Sequence, residues 1–87
     1  MAAILQVVRD ALRRTSTALD DTELTPLIEA AKIDLSGAGV RIINESDPLI
    51  QAAIRLFVLY MVEKDDKQRS FYEQLKNGMA MDSRYGG

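Results

Sequence analysis

The chain contains no cysteine and no histidine. Without cysteine there are no disulfides, no thiolate metal ligands and no thiol nucleophile, a composition that fits a reducing cytoplasm. Without histidine the commonest general base and a common metal ligand are gone. Ser16, Ser36, Ser46, Ser70 and Ser83 therefore cannot form a Ser-His triad within one chain, and no motif supports a Ser–Lys pair. Tryptophan is absent, and there are only two prolines and five glycines. No excess of basic charge is present either: 11 Lys and Arg face 13 Asp and Glu, a net charge of −2. Binding to nucleic acid draws on neutralised phosphates, and the one adjacent basic pair, Arg13 and Arg14, reads as solvated surface or a helix-end complement. The first eight residues lack the flanks of a secretory leader, so none is expected. The longest apolar run, 49–62, is too short to span a bilayer, which takes about 20 residues.

What is present is an ordinary apolar fraction, 47% of 87 residues, enough for one globular domain over 1–87. A domain of this size buries roughly 60–65% of its unfolded surface, and its stability is on the order of 5 kcal/mol. Oligomerisation is a common remedy for so small a core.

The densest feature follows Asp47 and Pro48. Asp47 is a natural N-cap, and Pro48 suits the first helical position, where its missing N–H is not needed. From Leu49 to Val62 only Gln51 and Arg55 interrupt the apolar side chains. A helix apolar on nearly every side must be covered on nearly every side. The expected fold is all-α: a small bundle of about four helices around a central buried helix at about 48–64, with a short extended segment near 40–44.

The first helix is read over about 3–14. Ile4, Leu5, Val8, Ala11 and Leu12 share one face, and Thr15, Ser16 and Thr17 end it. The second is read from about 21–25 to 36, with Leu24, Leu27, Ile28, Ala31 and Leu35 facing inward. Asp20, Asp21 and Thr22 can all cap it, and Asp20 with Glu23 has capping-box spacing. Pro26 belongs in a first turn, which favours a start near Glu23 or a cap at Thr25. Gly37 or Gly39 can supply a left-handed end. Residues 40–44 read either as a brief strand seeking a partner or as a loop whose Val40 and Ile42 plug the core. The fourth helix is read over about 67–81, capped by Asp65 and Asp66, with Phe71, Tyr72, Leu75, Gly78 and Met79 on one face. Residues 82–87 read as a flexible tail, in which Tyr85 is a candidate docking anchor.

No catalytic, cofactor-binding or metal-binding residue is expected. The acidic pairs Asp20/Asp21 and Asp65/Asp66 read as helix caps, since a calcium loop needs more spaced oxygens and a glycine. Gly37, Ala38 and Gly39 lack the Lys-Ser or Lys-Thr of a phosphate loop. Interleaved basic and aromatic residues, as in single-strand binding, are missing.

The order of elements carries further information. Leu12, Arg13, Arg14 and Thr15 lead to Ala18, Leu19 and Asp20. Leu27 to Lys32, then Asp34 and Leu35, form the second helix. Asp47, Pro48, Leu49 and Ile50, with Ala52, Ala53, Ile54, Leu56 and Phe57, open the third. After Asp65, Asp66 and Lys67 come Phe71, Leu75, Lys76, Met79, Ala80, Met81 and Tyr85. Over about 4–85 this pattern resembles the small head–tail connector (head-completion) proteins of tailed bacteriophages and related prophage elements.

The resemblance implies a structural protein, not an enzyme, made in the bacterial host cytoplasm and placed in the virion at the head–tail junction. Its partners would be other copies of itself in a ring usually described as dodecameric, the phage portal protein and the next tail-completion protein. DNA would pass through without sequence-specific binding, and no membrane or cofactor would be involved. A ring needs two different patches per subunit. The candidates are Val40, Ile42 and Ile43 on one side and Leu59 and Val62 on the other, chosen for apolar excess. The alternative reading is a small helical DNA-packaging or DNA-binding regulatory protein. The acidic balance and the long link from Thr15 to Thr22 weigh against a helix-turn-helix. A third reading is a plain interaction module.

Overall fold

Four segments meet the requirements for helix, and the last three carry their own start signals. The computed structural model describes residues 2–13 and 20–86, with helices α1 (Ala2–Arg13), α2 (Asp21–Gly37), α3 (Pro48–Glu63) and α4 (Asp66–Met81) and no strand among the described residues. Arg14 and the expected break at Thr15, Ser16 and Thr17 lie outside the described residues.

Asp20 caps α2 through a complete capping box: its carboxylate accepts from the Glu23 amide, and the Glu23 side chain accepts from the Asp20 amide. This box fixes the start at Asp21, earlier than Glu23 or Thr25. Pro26 consequently sits at the sixth helical position, where it removes the one donor that would face the Thr22 carbonyl. Gly39 is the left-handed residue beyond α2, at φ +108°, and lets the Val40 amide turn back onto the Leu35 carbonyl at 3.0 Å. Asp47 caps α3 by accepting from the amides of Leu49 (2.8 Å) and Ile50 (3.4 Å), with Pro48 in the first turn. Lys64 ends α3 in the left-handed conformation, φ 57°, and Asp65 at once caps α4 by accepting from the Lys67 amide. Two residues thus make the whole α3–α4 corner.

The core follows from the apolar periods. Ile4, Val8, Ala11 and Leu12 of α1 and Leu24, Ile28, Ala31 and Leu35 of α2 are buried. They close on Ile50, Ala53, Ile54, Phe57, Val58 and Leu59 of α3. α3 packs against each of the other three helices. Even its polar side is largely covered: Gln51 and Arg55 are half-buried, and Gln51 donates to the Glu45 carbonyl at 2.8 Å. The radius of gyration, 12.1 Å, matches the roughly 12 Å of a compact chain this long.

The core face of α4 is narrower than the one expected: Tyr72, Leu75 and Met79 turn inward as read, and Phe71 and Gly78 do not. Tyr72 and Met79 are buried, while Phe71 and Gly78 are exposed. The rows from Phe71 and from Tyr72 both step by three and four residues. The one that wins places Tyr72 against α3, with its ring edge-on to Phe57 (centroids 5.3 Å apart) and stacked on Tyr60 (6.2 Å).

Candidate assembly surfaces

Two connections decide what the subunit shows to the outside. One is the link between α2 and α3, and the other is the turn after α4. They are tied to each other. The amides of Arg41 and Ile42 both donate to the Tyr85 carbonyl, at 2.7 and 3.0 Å. The Tyr85 hydroxyl donates to the Asp47 carboxylate, 3.0 Å from either oxygen. Arg84 pairs with Asp82, its Nη2 at 2.8 Å, and holds the turn from outside. Gly86 lies directly on the Gly39 backbone; a Cβ there would stand 2.0 Å from the Gly39 carbonyl oxygen.

The expected flexible tail is thus corrected over residues 82–86, which form a turn packed on the α2–α3 link. Tyr85 is buried and is no free docking anchor. The reason is chemical: its ring has apolar neighbours to join, and its hydroxyl finds the carboxylate that caps α3. Val40 is also fully buried in this subunit's own core, so it offers no outward patch. The same correction applies to Leu59, which the core covers. Ile43 and Val62 are half-buried and pack against that core. Ile42 alone of these candidates is well exposed, at 57%.

Sequence reasoning missed the larger outward residue Ile33, 72% exposed on α2. The signal was available: Ile33 falls between the inward positions Ala31 and Leu35. Leu49 and Met61 are also partly exposed, at the two ends of α3. Met61 lines an open hollow of about 260 Å³ with Tyr60, Lys64, Asp66 and Arg69 at the α3–α4 corner. Among the described residues no group of three or more potential ligand side chains is placed to hold a metal ion. No helix among them is long and apolar enough to cross a membrane.

Polar contacts fasten the helices beneath these surfaces. Asp34 of α2 accepts from the Tyr72 hydroxyl and from Lys76 Nζ (3.1 Å), both on α4. Lys76 also pairs with Glu73 at 3.0 Å and lies 5.1 Å from the centre of the Tyr72 ring. Lys32 pairs with Glu45 and anchors the link to α2. Burial, then the hydrogen bond to Asp34, pushes the Tyr72 phenol far above its ordinary value of 10.0. Burial raises Asp34, but the Tyr72 and Lys76 hydrogen bonds outweigh it and hold the carboxyl below 3.8. Asp47 behaves alike: burial raises it, and the Leu49 amide, Tyr85 hydroxyl and Ile50 amide bring it below 3.8.

The signs of these shifts set opposite pH limits. A depressed carboxyl contributes stability above its unfolded value and loses it as pH falls through the folded one. A raised phenol contributes fully below pH 10 and loses it as pH climbs toward the folded value. Urea unfolding at pH 9 and pH 11 is therefore expected to show a loss in the wild type that Tyr72→Phe reduces, the remainder belonging to Tyr85, Lys32 and Lys76, which are raised as well. Equal losses in both proteins would place the alkaline weakness elsewhere.

No family model, curated protein or solved structure matches this chain.

Proposed function

We propose that this chain is a structural adaptor subunit that assembles as a ring between the portal and the tail of a phage particle, completing the head and extending the DNA channel. The observation that supports it best is the pair Ile33 and Ile42. Both are large, apolar and uncovered, on a subunit whose core is already closed by four helices. Exposed residues of this kind on a small domain mark surfaces that meet other proteins. Ile33 lies on α2 and Ile42 on the link to α3, and a ring's heterologous contact would use them as its two patches. The order of sequence elements, with its likeness to head–tail connector proteins, points the same way. A net charge of −2 suits a channel that lets DNA slide without gripping phosphates.

The test is copurification with a portal ring, followed by negative-stain imaging. Discrete rings on the portal are expected, and Ile33→Asp with Ile42→Asp should abolish them while leaving the helical content unchanged. Failure to bind portal, together with duplex DNA affinity that falls steeply with salt, would replace this reading with a DNA-binding one.

A further inference from the structure

The chain has two asparagines, and one of them, Asn77, is followed by glycine. Asn77 and Gly78 lie near the end of α4, and both are exposed. Gly78 serves neither a turn nor close packing: its φ is not positive, and nothing within 4 Å would meet a Cβ there. Its bare Cα has a chemical consequence instead. It leaves the Gly78 nitrogen unshielded beside the Asn77 side-chain amide, and the helix keeps the two from reacting. In an α-helix the Gly78 N–H donates to the carbonyl four residues back, and Asn77 sits at a ψ of about −42°. Closing a five-membered ring needs that nitrogen released and that ψ abandoned.

The end of α4 is where such a release is easiest. Glycine is a poor helix former. The last turn carries no basic residue to meet the helix dipole, and its C-cap is the acidic Asp82. What holds this end is tertiary. Met79 is buried, and its carbonyl accepts from the Asp82 amide at 3.1 Å. The turn that follows is clasped through Tyr85 onto Asp47, Arg41 and Ile42.

We propose that Asn77 is a site of spontaneous deamidation, held off by the Tyr85 clasp and admitted by local opening at the end of α4. The step needs only water. The Gly78 nitrogen gives up its proton and attacks Cγ of Asn77. A new N–Cγ bond forms, the bond from Cγ to the side-chain nitrogen breaks, and ammonia leaves with the proton. Water then opens the cyclic imide at either carbonyl and leaves aspartate or isoaspartate at position 77. Either product adds a negative charge one turn after Glu73 and at the negative end of the helix, and both placements are unfavourable. Isoaspartate also lengthens the main chain by one methylene, so the i to i−4 ladder cannot run through it. The last turn and the clasp beyond it then fail to reclose, which makes the conversion one-way. Asn44 is the contrast within the same chain. A full side chain at Glu45 shields the nitrogen that would attack, and Asn44 Oδ1 accepts from the Ser46 amide at 2.9 Å. None of this rests on the ring reading, because it uses the end of α4 and leaves Ile33 and Ile42 aside.

Peptide mass spectrometry of the full chain, held at neutral pH well below its melting temperature, reads the conversion directly as the mass gained when an amide becomes an acid. Conversion is expected at Asn77 and not at Asn44, more slowly than in the same chain unfolded in urea. Gly78→Ala should suppress it in both states, since the added Cβ shields the nitrogen, and should raise thermal stability. Tyr85→Phe keeps the ring and removes only the bond to Asp47, and should speed conversion about tenfold with the helical signal intact. The wild-type rate should stay flat through low urea, because opening one turn exposes little surface. A folded chain that stays intact at Asn77, a rate that climbs with urea as steeply as global unfolding does, or a Tyr85→Phe variant that converts no faster than the wild type would each overturn the proposal.

Discussion

Gly86→Ala is expected to lower the melting temperature by roughly 10–20 °C, as though a buried aromatic had been truncated. The new Cβ would stand 2.0 Å from the Gly39 carbonyl oxygen and 3.0 Å from its carbon, and both are backbone atoms that cannot swing aside. The turn must lift. Lifting it withdraws Tyr85 from the core, breaks its bond to Asp47 and frees the amides of Arg41 and Ile42. Tyr85→Ala should cause a comparable loss by the direct route. If both act through the same clasp, the double variant loses little more than either single one. Thermal unfolding of the four proteins measures this. A Gly86→Ala variant as stable as the wild type would show that residues 82–86 do not hold the position described.

Ile54→Ala is expected to cost about 2–5 kcal/mol, most of the roughly 5 kcal/mol available to a domain of this size. Ile54 is fully buried on α3, the helix that packs against all three others, so a cavity there opens at the centre of the subunit. Ile33→Ala is the natural control. It removes an aliphatic side chain that is mostly in water, and should change stability by less than about 0.5 kcal/mol. Denaturant unfolding of the pair compares the two positions directly. Similar losses at both would mean that α3 is not the buried element.

These two cases also show what a sequence can and cannot convey. The α3 segment was legible because its signals are local: Asp47 and Pro48 start it, and the apolar run declares its burial. The Asp20–Glu23 box was equally legible, although Pro26 argued for a later start. α4 was legible as a helix with Tyr72, Leu75 and Met79 inward, but the edge of that face, at Phe71 and Gly78, was not. Phe71 and Tyr72 are neighbours, each begins a step-three-and-four row, and only contact with Phe57 and Tyr60 decides which row turns inward. The clasp was not legible at all. Asp34 with Tyr72 and Asp47 with Tyr85 are each separated by 38 residues, and no local period encodes such a pair. A glycine-rich polar end containing one tyrosine reads as loose chain until the carboxylate that receives its hydroxyl is known.

The same distinction governs the surfaces. Apolar excess in the sequence suggested Leu59, Val62 and Val40 as outward residues, but the subunit uses Leu59 and Val40 for its own core and half-buries Val62. The large apolar residues left most exposed are Ile33, Ile42, Phe71 and Met81, with Leu49 and Met61 partly so. The assembly role proposed above would therefore fall to residues that the core leaves over.

Electron cryomicroscopy of the portal vertex of DNA-filled particles assembled with this chain tests that role most directly. A closed ring of four-helix subunits beneath the portal, with Ile33 and Ile42 covered by neighbouring copies, is the predicted result. A vertex lacking the chain, or one in which both residues stay open to solvent, would contradict it.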